Sequence, residues 1–200
     1  MRKLHLLLPL ALLTLALGLA ACGGGEESDE DKIVDVIETS VTSTDPADCE
    51  QLATQAFLEQ TELSEGKEAV ESCEESAKET EDDPDSVDVS KVKVDGSSAT
   101  ADVAFAGGSF DGQALSVALV EADGDWKLDE IVRFTKLDTD KLATSLEEAF
   151  QEGEDPLDPK LSNCVGEVLR ELSQPEAEEV VIGGSSDQIV AIVEGCSEGQ

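Results

Sequence analysis

The side chains able to do chemistry in this chain are carboxylates, cysteines and a few lysines. Asp and Glu number 47 against 13 Lys and Arg, the single histidine is His5, and there is no tyrosine. His5 lies in an apolar N-terminal segment, so the remainder carries neither imidazole nor phenol. That excludes Ser-His-Asp and Cys-His nucleophilic systems, histidine metal sites and the most common general base. The carboxylate with most to offer is Glu130. Strict period-two geometry puts Trp126, Leu128, Glu130, Val132 and Phe134 on one face of a strand. Where that face lines a cavity, Glu130 among apolar walls has a raised pKa and acts as a base or grips a cationic ligand. The competing arrangement is a bulge that turns Ile131 inward and leaves Glu130 in water. It is the usual one for an acidic strand residue and the one expected here.

Two further motifs carry less. Ser64-x-x-Lys67 has the spacing of the serine and lysine in penicillin-recognising enzymes, but no Ser-Asp-Asn or Lys-Thr-Gly occurs in the chain and Gly66 interrupts the helix. Asp123-x-Asp125 with Asp129 and Glu130 hints at calcium. The EF-hand spacing fails at Trp126 and Lys127, leaving a hairpin turn with at most weak surface binding. No cofactor and no resident metal are expected. A net charge of −34 repels nucleic acid and anionic membrane surfaces alike. It favours solubility, and attraction of cationic ligands or basic surfaces is its sharper consequence.

Arg2 and Lys3 precede an apolar run from Leu4 to Leu17, which closes with Leu19-Ala20-Ala21-Cys22. The run is shorter than the ~20 residues of a membrane span and contains Pro9. The whole resembles the signal and lipobox of bacterial lipoproteins. The resemblance implies that residues 1–21 are removed, that the Cys22 thiol carries the lipid, and that the protein is held at the extracytoplasmic face of the cell membrane. Residues 22–31, rich in Gly, Glu and Asp, then read as a tether. Four cysteines remain: Cys49, Cys73, Cys164 and Cys196. An even number in an exported chain implies disulfides, with three possible pairings. The early two fall in one helical region and the late two bracket another, so Cys49–Cys73 and Cys164–Cys196 are expected. A zinc site is disfavoured because no Cys-x-x-Cys occurs.

The elements that must position these groups follow from periodicity. Ile33, Val34, Val36, Ile37 and Val41 mark a first amphipathic helix. Asp45-Pro46 starts a second through Cys49, Leu52, Ala53, Ala56 and Phe57, and Ala69, Val70, Cys73 and Ala77 stripe a third. Alternation then sets in, with a change of parity near Ser90 that predicts a bulge. Asp95-Gly96 and Asp123-Gly124 are hairpin turns, and four antiparallel strands result. The segment Glu121-Ala122-Asp123-Gly124-Asp125-Trp126-Lys127-Leu128, behind three short helices, resembles the nuclear transport factor 2-like domains that many secreted actinobacterial lipoproteins carry. The resemblance covers about residues 31–135. It implies a cone with a cavity between helices and sheet, used for binding, dimerisation or, with Asp, His or Tyr, isomerase or dehydratase chemistry.

Leu142, Leu146 and Phe150, then Leu161, Cys164, Val165, Val168 and Leu169, then Ile189, Val190, Ile192, Val193 and Cys196, stripe further helices. The expected class is α+β. The expected plan is a signal over 1–21, a tether over 22–31, a cone-like domain over 32–135, and a small disulfide-linked helical module over 136–200. Such a module is too small to bury much core alone. The expected function is binding of a small ligand or another envelope protein, without catalysis. The alternatives are a carboxylate-dependent isomerase or hydrolase, and an assembly subunit with a filled cone.

Overall fold

Alternating residues and two tight turns build the sheet. Strands β1 (Ser86–Asp95), β2 (Ser98–Ala106), β3 (Ala114–Ala122) and β4 (Asp125–Lys136) pair antiparallel in the order β1-β2-β3-β4. Asp123 and Gly124 both take positive φ, 57° and 95°, as the turn between β3 and β4 requires. The expected bulge in β1 falls between Ser90 and Lys93, with Lys91 at φ 54°. This computed structural model describes residues 27–78, 84–152, 157–183 and 186–198. Cys22, the signal over 1–21 and the first half of the tether lie outside them.

Helix α1 (Asp29–Ser40) begins inside the stretch whose composition reads as tether. The Ser28 hydroxyl accepts from the Asp31 amide at 3.2 Å, and three acidic residues fill the first turn, where the helix dipole favours them. Ile33 and Ile37 are buried, and α1 packs against both β1 and β4, so the open sheet curls around it. The second expected helix is two: α2 (Asp48–Leu52) and α3 (Gln55–Glu62). Ala53 between them is extended and forms a parallel bridge with Leu128 of β4. Thr54 then caps α3, its hydroxyl accepting from the Phe57 amide at 3.3 Å. A long-range strand contact overrides local helical periodicity there. Helix α4 (Lys67–Ser76) follows, tied to α2 by the Cys49–Cys73 disulfide.

Beyond the sheet come α5 (Thr139–Glu152), α6 (Pro159–Glu171), α7 (Gln174–Val181) and α8 (Ser186–Glu198). Asp158 caps α6 with Pro159 in its first turn, and Ser173 with Glu176 forms a capping box on α7. The Ser173 hydroxyl and amide hold the Glu176 carboxyl below the usual carboxylate range. The second disulfide joins Cys164 of α6 to Cys196 of α8. Both pairings are those expected, and the α+β class is as expected. Arg170 of α6 grips both oxygens of Glu147 on α5, at 2.8 and 2.9 Å, and Gly166 makes room for that carboxylate.

The helical module is not packed only on itself. Leu142 and Ile182 belong to the same buried cluster as α1 and the sheet, and Leu146 and Val181 touch both that cluster and the one around Val165, Leu169 and Cys196. Among the described residues no helix is long and apolar enough to cross a membrane.

Candidate functional site

Strand β4 decides where the site lies. Its inward residues are Trp126, Leu128, Ile131 and Phe134, spaced two, three and three apart. Against β3 the register shifts three times, because Asp129, Val132 and Thr135 are each an extra residue without a partner. Each extra residue reverses the parity of those that follow. Glu130 is therefore exposed, Val132 is 44% exposed, and Ile131 turns in. The bulged arrangement expected for Glu130 forms, so the face of strict alternation, Trp126-Leu128-Glu130-Val132-Phe134, does not, and Glu130 is not a cavity base. Trp126 is buried, but at the start of α1, with Nε1 directed at Asp29 Oδ1 at 3.5 Å.

The same three-residue spacing exposes the outer backbone of β4, an edge strand, at Leu128, Ile131 and Phe134. Each is covered by a different element. The Thr54 amide donates to the Leu128 carbonyl at 2.8 Å. Gln60 of α3 accepts from the Ile131 amide at 2.7 Å, donates back to the Ile131 carbonyl at 3.0 Å, and donates to the Ile182 carbonyl at 2.8 Å. Glu178 accepts from the Phe134 amide at 2.9 Å while Gln174 donates to the Phe134 carbonyl at 2.8 Å. The helices thus stand off the sheet on polar struts, and space is left between them.

That space is a cavity of about 550 Å³, within the range of small-molecule sites. The sheet contributes Phe105, Leu115, Leu128, Ile131 and Phe134; α3 contributes Phe57, Leu58 and Gln60; the C-terminal helices close the far side through residues such as Leu146, Leu169 and Ile192. All five phenylalanines of the chain lie on its wall. Phe110 reaches it from the β2–β3 loop and packs on Phe105 with ring centroids 5.6 Å apart. An ion pair between Asp111 and Lys141 ties that loop to α5. It lowers the carboxyl pKa of Asp111 and raises that of the Lys141 ammonium.

The polar part of the wall is one-signed. Asp45, Asp48 and Glu62 line the cavity, and among the described residues no Lys, Arg or His does. Asp48 is held by the Ser43 hydroxyl at 2.5 Å, and Asp45 accepts from the Ala47 amide at 3.0 Å, so both also shape the turn before α2. Glu62 is different. It ends α3, and burial pushes its carboxyl pKa up. Among the described residues no cation pairs with it.

The remaining candidates stay apart. Ser64 Oγ is buried without a hydrogen bond, and it precedes Gly66, which opens α4 at φ 61°, so Ser64 and Lys67 do not share a helical turn. Asp129 accepts from the Thr54 hydroxyl at 2.9 Å. Among the described residues no group of three His, Cys, Asp or Glu side chains is arranged to hold a metal. Gln60 and Glu62 carry no sequence signal: they are ordinary helix-surface residues until the bulged strand and α7 arrive beside them. Compared with protein-family models, curated proteins and solved structures, the chain matches none.

Proposed function

We propose that this chain is a lipid-anchored extracytoplasmic protein that binds a small apolar molecule and catalyses no reaction. The observation that carries the reading is the cavity of about 550 Å³ between the sheet and two sets of helices, walled by apolar side chains from both. A ligand seated against these apolar walls gains dispersion contacts and removes apolar surface from water. The absence of His beyond His5 and the exposure of Glu130 support a binding role over carboxylate catalysis. The lipobox at Leu19–Cys22 supports the anchor, and the helices-on-sheet cone supports kinship with nuclear transport factor 2-like domains as the source of the cavity. An assembly subunit would call for a filled cone, which the cavity argues against.

Native mass spectrometry of the full chain, purified from membranes in mild detergent, tests this. A retained mass of a few hundred daltons, lost on organic extraction, is expected. A chain that carries no added mass and fails to enhance a neutral naphthylamine dye after extraction would overturn the reading.

A further inference from the structure

Three features of the cavity rim share one electrostatic sign. The carboxyl ends of α1, α3 and α4 all reach the wall, through Ser40 and Val41, through Thr61 and Glu62, and through Ser76 and Ala77. None of these helices has a basic residue in its last turn, though Lys78 follows the end of α4. A helix carboxyl end carries about half a negative charge, which a nearby cation stabilises. Glu62 adds a full carboxylate at one of those ends, where the dipole disfavours it, and it does so without a countercharge. Inside, the phenylalanines give an apolar wall suited to a hydrocarbon body.

We propose that the occupant is a lipophilic ammonium ion, its apolar body lodged among the phenylalanines and its cationic head at the rim beside Glu62. This rests on the small-ligand reading above and specifies its chemical class. A fatty carboxylate of equal length would meet three helix carboxyl ends and the carboxylates of Glu62, Asp45 and Asp48, with no cation on the wall among the described residues to receive it. A neutral molecule would fill the cavity and leave the buried face of Glu62 uncompensated. Burial pushes the Glu62 pKa up, and a cation seated beside it would favour its charged form.

The test is calorimetric titration of the extracted full chain with octyltrimethylammonium, 1-octanol and octanoate, with tetramethylammonium as a head-only control. The ammonium is expected to bind at one site at least tenfold more tightly than the alcohol, octanoate more weakly than either, and tetramethylammonium without saturation at one site. Glu62→Gln should reduce the ammonium preference severalfold and leave octanol affinity unchanged. Equal affinities for ammonium and alcohol, or tetramethylammonium binding as well as its octyl homologue, would overturn the cation assignment while the cavity reading stands. Binding of none of the octyl probes would remove both.

Discussion

Replacing Gln60 with Ala removes three hydrogen bonds at once: two to the backbone of Ile131 and one to the carbonyl of Ile182. A net contribution of about 1 kcal/mol per bond sets a ceiling near 3 kcal/mol. Gln60 is only half-buried, so water recovers part of the loss, and about 2 kcal/mol is the expected cost. For a chain of this size that corresponds to a fall in Tm of roughly 4–8 °C. Urea unfolding followed by tryptophan fluorescence reads it, because Trp126 is the only tryptophan and is buried at the base of the same strand. Gln60→Glu supplies the sharper check. Its ionised carboxylate still accepts from the Ile131 amide but faces two carbonyl oxygens, so it should be less stable than Gln60→Ala at neutral pH and recover on acidification, when it regains a donor. A Gln60→Ala chain that loses less than about 0.5 kcal/mol would refute the reasoning, and would mean that water alone serves the edge of β4.

Glu62→Gln should stabilise the unliganded protein at neutral pH. The folded pKa of Glu62 lies above its unfolded value, so the penalty is present above the folded pKa and disappears as pH falls through it; equal urea midpoints for variant and parent at neutral pH would contradict this. Removing either disulfide by Cys→Ser pairs frees loops with sequence separations of 24 and 32 residues, and each should cost roughly 3–4 kcal/mol in the chain-entropy model, seen as a lower urea midpoint. Carboxylates exceed bases 47 to 13, so Tm should rise when salt shortens the Debye length below about 8 Å, and a flat response would point to bound cations. Cys22→Ser should yield a chain that no longer partitions into detergent; partitioning that persists after signal removal would exclude the lipid anchor.

Much of the fold is legible because its signals are local. The hairpin dipeptides Asp95-Gly96 and Asp123-Gly124 act within a few residues of themselves, and each produces the turn its chemistry implies. The cysteine pairs were readable for a related reason: each pair lies within one helical region, so chain proximity favours the pairing found. Ala53 shows the limit. Its neighbours have helical spacing on both sides, yet a bridge to Leu128, far along the chain, extends it.

The candidate site was the least legible part. Residue types alone decided that no imidazole or phenol chemistry is available past His5, that charge is overwhelmingly negative, and that four cysteines can form two bridges. Those are properties of composition, independent of where anything sits. That Ile131 turns in and Glu130 out was the expected arrangement, but how many bulges achieve it, and where, was decided only by the pairing with β3. Three unpaired residues, Asp129, Val132 and Thr135, shift the parity one step at a time, turning Glu130 out and Ile131 in. A bulge depends on a partner strand and on helices that accept the freed backbone groups, here through Thr54, Gln60, Gln174 and Glu178. Those helices lie tens of residues away in both directions, so a single bulge near Glu130 could be expected from the cost of burying a carboxylate, but the three that form could not.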